Sequence, residues 1–388
     1  MDKLTIAFIG LYNEPNLGDP IIFDSTVWLY SNYLGCKIQP KYLYLDYIEK
    51  TYNMSLLKKI ANKVSYKISH KPIFHDNCTK RILTKEYFNK CLKDADLAVV
   101  VGGGVIKYSY QFFWGSLWGL LHAANDMKIP VIFNSVGVEG YDANNKKCLI
   151  LKKAMHLPSL IYITTRDDIS TLIKGYFDNN PTIPIFNVCD PAVWISEVYN
   201  IKKNTNSNTI GIGIARDKIF IDNGFNFSPQ QVITLYCDII KNIKSKGLNI
   251  QIFTNGHPSD NSTALHICES LKSEGIFVEL CIPSNKQQLV KIISNYKAVI
   301  ATRLHSCIIS YSLNIPAIGL VWNDKLKLWG RNINREDDFI CIENLNANYI
   351  YNRLNIAITQ KYDMTIREKF RNTIINNILN LKEYLKIN

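Results

Sequence analysis

The sequence predicts an α/β protein built as two Rossmann-like domains facing a cleft. Three observations carry this. Short apolar runs recur along the chain, and each ends in glycine or polar residues before a stretch of helical periodicity. A polar break at residues 202–208 separates two such series. The length of 388 residues suits two domains rather than one.

The elements follow in order. Residues 4–10 form an apolar run ending in Gly10, then a loop through Asn16, Leu17, Gly18 and Asp19, then a helical stretch over 21–34. Residues 97–101 are continuously apolar and closed by Gly102, Gly103 and Gly104, as suits a strand buried on both faces. Residues 130–137 and 160–167 repeat the pattern, 168–176 read as helix, and 184–190 as one more strand. After the break, 209–215 restart a strand. A helix over 228–246 is capped by Ser228 with Pro229 at its first position. Strands over 249–254, 298–302 and 315–320 follow, with a helix near 262–273. Residues 365–385 read as a terminal helix. The domains are therefore expected at 1–203, with the Gly-rich loops, and at 209–360. Residues 361–388 form a C-terminal helix that is a candidate to pack back on the first domain.

Composition bounds the partners. With 47% hydrophobic and 20% charged residues, the chain can bury a large core. The net charge of +12 favours an anionic partner, or else reflects solvated lysines. The ten cysteines form no Cys-x-x-Cys pair and show no metal-ligand spacing with histidine, so no metal site is expected. Scattered cysteines in a chain this large, and an N-terminal run too short for a signal peptide, point to the cytoplasm. The stretch 50–93 is dense in lysine, with Leu56, Leu57, Ile60 and Val64 at roughly helical spacing. It reads as a helical hairpin, or as peripheral contact with the inner face of a membrane. Basic residues are not interleaved with aromatics in a nucleic-acid motif, so no nucleic acid is expected.

In open parallel sheets, ligands bind beyond the carboxyl ends of the strands. Candidate residues therefore sit where strands end. Asn16, Gly18 and Asp19 lie between a strand and a helix, where backbone N–H groups meet anions; Asp19 alternatively caps that helix. Gly103 and Gly104 can expose N–H groups to a phosphate or carboxylate, or make a tight turn. Arg166 can clamp an anion bidentately, or pair with Asp167 or Asp168. Asn255, His257 and Asp260 occupy a polar loop that can meet a sugar hydroxyl, and Lys325 ends a late strand where it can meet an anion. Arg303-Leu304-His305-Ser306 is the most informative stretch. It follows a strand directly and places a cation and a near-neutral acid–base group at one helix N-terminus.

Taken together, Asn16-Leu17-Gly18-Asp19, Gly102-Gly103-Gly104, Asn134-Ser135-Val136-Gly137, Thr165-Arg166-Asp167, Asp190-Pro191, His257-Pro258-Ser259-Asp260 and Arg303-Leu304-His305 resemble the polysaccharide pyruvyl transferase family. The resemblance implies a GT-B-like fold and phosphoenolpyruvate as donor, with Arg303, His305 and Arg166 associated with it. It implies a pyruvate ketal on a sugar of a cell-surface polysaccharide precursor, such as a capsule or exopolysaccharide glycan, with a lipid-linked oligosaccharide among the candidate acceptors. His305 is then the expected general acid. Asp19, His257 or Asp260 would deprotonate or orient the acceptor, and no cofactor is needed. The competing expectations are a GT-B glycosyltransferase using a nucleotide sugar and a non-catalytic glycan- or anion-binding module.

Overall fold

The computed structural model describes residues 3–53, 77–109 and 111–387. Residues Leu56, Leu57, Ile60 and Val64 of the lysine-dense stretch, with His70 and His75, lie outside them. The described chain divides into two compact units. The first comprises Met1–Leu11, Tyr30–Val188 and Asn377–Asn388; the second comprises Tyr12–Leu29 and Cys189–Asn376.

The first unit holds a six-stranded parallel sheet. Its strands are β1 (Lys3–Gly10), β2 (Lys37–Tyr44), β3 (Leu97–Ile106), β4 (Val131–Val138), β5 (Leu160–Thr165) and β6 (Ile185–Asn187), in the order β2-β1-β3-β4-β5-β6. Central β3 and β4 are almost wholly buried, as runs such as Leu97–Val101 require when helices cover both faces. Edge strand β2 is exposed or half-buried up to Tyr42 and carries Pro40, which a central strand could not accommodate. The three glycines are not a loop after β3, as the sequence suggested, but part of it. Strand β4 closes in on them through its own Gly137, where a Cβ would lie 3.1 Å from the Gly103 carbonyl oxygen. The register of β3 on β4 shifts between Gly103 and Ile106, and Gly103 takes φ +123°. Near the end of the chain, Asn377 accepts a hydrogen bond from Tyr162 at 3.1 Å.

The second unit holds β7 (Thr209–Gly213), β8 (Asn249–Phe253), β9 (Glu279–Cys281), β10 (Ala298–Ala301), β11 (Ala317–Leu320) and β12 (Phe339–Ile340). All pair in parallel, in the order β12-β11-β10-β7-β8-β9. Strand succession reverses between β7 and β10, which makes that crevice the topological switch point. The core joins Ile210, Ile212, Ile252, Ile300 and Ile318 of the sheet to Val232, Ile239, Ile240 and Ile243 of the helix Pro229–Ser245. Each such side chain contributes about 1.5–3 kcal/mol by leaving water. Ser228 caps that helix as the sequence predicts, in a full capping box with Gln231.

The sequence assigned residues 1–203 to one domain. The segment Tyr12–Leu29 instead belongs to the second unit, and contacts inside that unit explain it. Leu17 N–H donates to the Asn255 carbonyl at 3.0 Å, and Asp24 accepts from Tyr199 at 2.6 Å and from Lys286 at 2.7 Å. The Trp28 ring stacks on Trp194 with centroids 6.2 Å apart. Among the described residues, no helix is long and apolar enough to cross a membrane.

Candidate active site

The residues with the densest chemistry gather at the switch point of the second sheet. Strand β10 is fully buried and is followed by Thr302, whose hydroxyl meets the Tyr236 phenol and whose carbonyl accepts from the Trp322 indole at 2.7 Å. Burial pushes the Tyr236 phenol up to about 12, so it anchors the strand end as a neutral hydroxyl. Arg303 leaves the strand with extended backbone and opens the helix Leu304–Ser312.

The Arg303 guanidinium is gripped from one side. Its Nε donates to one Asp260 carboxylate oxygen at 2.8 Å and its Nη2 to the other at 2.5 Å. Asp260 is completely buried and also accepts the Arg216 backbone N–H at 3.0 Å. Both of its carboxylate oxygens accept hydrogen bonds inside the protein, and Asp260 orients Arg303. The two-point fork fixes the guanidinium plane and leaves Nη1 outside the grip.

His305 is the second residue of the same helix. Its Nε2 is 3.7 Å from a carboxylate oxygen of Asp190, and the two side chains are only 11% and 3% exposed. On its other side is Gly18, the first residue of the helix Gly18–Tyr33. A Cβ on Gly18 would fall 2.3 Å from His305 Nδ1, so the imidazole needs a glycine there. Asn16 accepts the Gly18 N–H at a long 3.5 Å. Asp19 is half-buried and makes no hydrogen bond or ion pair among the described residues, so it does not cap the helix.

Asn255 closes the group. It is buried, and its Oδ1 accepts from the Ser306 hydroxyl at 2.7 Å. Its Nδ2 is buried without a hydrogen-bond partner. An amide donor left over at a strand end matches a ligand oxygen. His257 is the N-cap of the helix Pro258–Ser273, and its Nδ1 is engaged by the Ser259 hydroxyl and backbone N–H at 2.8 and 3.3 Å. This helix begins four residues earlier than the sequence indicated, because His257 caps it and Pro258 fits its first position. Lys325 is half-buried in the first turn of the helix Asp324–Asn332, after β11. Burial raises the adjacent Cys307 thiol to about 12, which removes it as a nucleophile at neutral pH.

The structure thus brings together Gly18, Asn255, Asp260, Arg303 and His305 in one unit. Arg166, Gly103 and Gly104 belong to the other. Arg166 is buried directly after β5, and its backbone N–H donates to Val136 at 3.3 Å. Asp167 accepts from Val138 N–H and Asp168 caps the turn at Ser170. Sequence reasoning did not list Asp190 as a site residue, although Asp190-Pro191 was among the recurring motifs. Its signal was an aspartate before proline after a strand, where it reads as a turn cap.

The model of the polysaccharide pyruvyl transferase family matches residues 19–324, a stretch that includes His305, Asp190 and Arg303. The chain belongs to the polysaccharide pyruvyl transferase family. It is accordingly a transferase of the pyruvyltransferase type, acting on a saccharide acceptor. None of the curated proteins matches this pyruvyl transferase family member. Among solved structures, UDP-GlcNAc 2-epimerase from Methanocaldococcus jannaschii aligns at TM-score 0.60 and 13% identity, covering 100% of both chains. UDP-N-acetylglucosamine 2-epimerase from Rickettsia bellii aligns at 0.56 and 15%, covering 100% of this chain and 98% of that one. The Neisseria meningitidis UDP-GlcNAc 2-epimerase bound to UDP-GlcNAc aligns at 0.55 and 14%, covering 100% of both. At such identities the likeness concerns the fold alone, a GT-B-like fold with two α/β units, as the sequence predicted.

Proposed function

We propose that this pyruvyl transferase uses phosphoenolpyruvate as donor, builds a cyclic pyruvate ketal on a glycan and releases phosphate. One observation carries the reading. A guanidinium fixed by a buried carboxylate stands two residues before an imidazole backed by a second carboxylate, at the switch point of a parallel sheet. The donor is a small polyanion whose reaction starts with protonation of carbon, and these groups supply an anion clamp and a proton source.

The step balances as follows. Protonated His305 gives a proton to the methylene C3, and the C2=C3 electron pair forms the new C–H bond. A sugar hydroxyl attacks the electrophilic C2 and its proton returns to the imidazole. The C2–O bond to phosphate breaks, a second hydroxyl closes the ring on C2, and its proton leaves with the phosphate. Arg303 Nη1, the Asn255 amide and Lys325 are the assigned donors to the donor's phosphate and carboxylate. Asp19, beside Gly18, is assigned to orient the acceptor by accepting a hydrogen bond from one of its hydroxyls. As written, the step draws on no cofactor. We assign the acceptor to a surface-polymer precursor, presented as free or lipid-linked oligosaccharide.

The test is phosphate release from phosphoenolpyruvate with an acceptor panel, with mass spectrometry for a carboxyethylidene increment. Arg303→Lys keeps the charge but loses the fork, and should raise the donor KM by about 10- to 100-fold, the worth of a charge-assisted hydrogen bond. His305→Ala should abolish turnover without unfolding the protein. An unchanged donor KM in the first variant, or undiminished turnover in the second, removes that residue from the site. Calorimetric titration with UDP-GlcNAc in parallel separates pyruvyl transfer from nucleotide-sugar chemistry.

A further inference from the structure

We infer that Asp190 is the positioning residue of the proton-transfer centre: it holds the proton on Nε2 of His305 and raises the imidazole's proton affinity. The reaction it serves is the pyruvyl transfer proposed above; the coupling of Asp190 to His305 stands on geometry alone.

Asp190 is built to face one way. It caps the turn Pro191–Trp194, where one carboxylate oxygen accepts the Ala192 N–H at 2.9 Å and its carbonyl accepts from Val193 at 3.1 Å. Pro191 fixes the backbone that follows. The other carboxylate oxygen is the one 3.7 Å from His305 Nε2. That spacing exceeds a hydrogen bond but lies within ion-pair range, and such pairs tighten in the substrate complex. With both side chains nearly excluded from water, the attraction is stronger than at a surface.

The opposite edge of the ring is set by Gly18, which a Cβ would drive against Nδ1 and Cγ at 2.3 and 2.7 Å. The ring is therefore held lengthwise, carboxylate at one nitrogen and a side-chain-free residue at the other. In a neutral imidazole one nitrogen carries the proton, and the carboxylate selects Nε2.

The charged surroundings make the aspartate necessary. Arg303 sits two residues away but is neutralised by Asp260. The N-terminal end of the helix Leu304–Ser312 opposes a positive imidazole. Asp19 follows Gly18 on the helix packed against the ring. Of the other charges on neighbouring elements, Lys286 is spent on Asp24, Glu197 on Arg371, and Lys291 is exposed. Asp190 thus offsets the helix end and keeps the imidazolium available near neutral pH, where a proton donor works best.

The test is Asp190→Asn, which retains an oxygen to cap Ala192; Asp190→Ser is a second variant that also retains a cap acceptor. Histidine 15N NMR of the full chain, assigned against His305→Ala, should show Nε2–H in the wild type. The His305 titration should fall by about 1–2 pH units in the variant. Because the imidazolium is the proton donor, the alkaline limb of the kcat profile should move down by the same amount. The kcat should fall on the order of 10²-fold while the donor KM changes little. A His305 titration displaced by less than about 0.3 unit overturns the inference. A shifted titration in a protein that releases no phosphate from phosphoenolpyruvate keeps the pair and overturns the pyruvyl-transfer reading instead.

Discussion

Replacing Gly18 with alanine adds one methyl group, normally a stabilising change of about 0.4–1 kcal/mol through the unfolded chain. Gly18 does not lie in the left-handed region, so its backbone accepts alanine. The side chain does not fit. The new Cβ would be 2.3 Å from His305 Nδ1, and ordinary contact begins near 3.4 Å, so the imidazole must retreat by about 1.1 Å. Overpacking of this kind costs about 1–3 kcal/mol. The net loss, about 1–2 kcal/mol, should lower Tm by about 3–6 °C for a unit of this size. Turnover should suffer more, since a displacement of about 1 Å at a reacting group costs roughly 10²-fold. Phosphate-release kinetics and differential scanning calorimetry read the two effects. Adding His305→Ala to Gly18→Ala should restore the lost stability, because the methyl then enters space the ring vacated. Wild-type turnover and melting in Gly18→Ala would refute the packing of these two residues.

Two further outcomes follow from the same physics. Asp260→Ala leaves Arg303 without its buried partner and should destabilise the protein by about 3–5 kcal/mol in urea unfolding, with a raised donor KM; a loss under about 1 kcal/mol would refute the pairing. Asp168 is held below the usual carboxylate range by hydrogen bonds from the Ser170 hydroxyl and backbone N–H. A depressed folded pKa gives stability that is present above the unfolded value, near 4, and is lost as pH falls through the folded one. Asp168 is exposed, so solvent screening limits the term to about 0.5 kcal/mol. Asp168→Asn should therefore be less stable than wild type by about that amount at pH 7 and equal to it near pH 2, a difference that an offset unchanged between those pH values would contradict.

Buried strands were the legible part of the fold. The apolar runs at Leu97–Val101 and Ala298–Ala301 announce β3 and β10, because a strand covered on both faces has no polar alternation to confuse it. Edge strands were not: β2 mixes lysines and Pro40 with its apolar residues, and β9 and β12 are only three and two residues long. The glycines after Val101 suggested a loop because glycine marks turns, but here it marks where two strands approach closely. In the site, Arg303 and His305 were readable from their place after β10. Asp190 and the burial of Asp260 were not, since pairings at sequence separations of 115 and 43 residues leave no local trace.

The interleaving of segments has a consequence for biosynthesis. Residues 12–29 emerge from the ribosome early yet are completed by partners as distant as Lys286, while the unit that starts at residue 1 also takes in residues 377–388. Neither unit is finished until translation has passed residue 376. The strands of both sheets precede residue 341, so each sheet is made while its unit still lacks residues of the helix Met364–Tyr384, an interval that exposes apolar surface to chaperones and proteases. A premature stop before residue 376 would cost both units part of themselves.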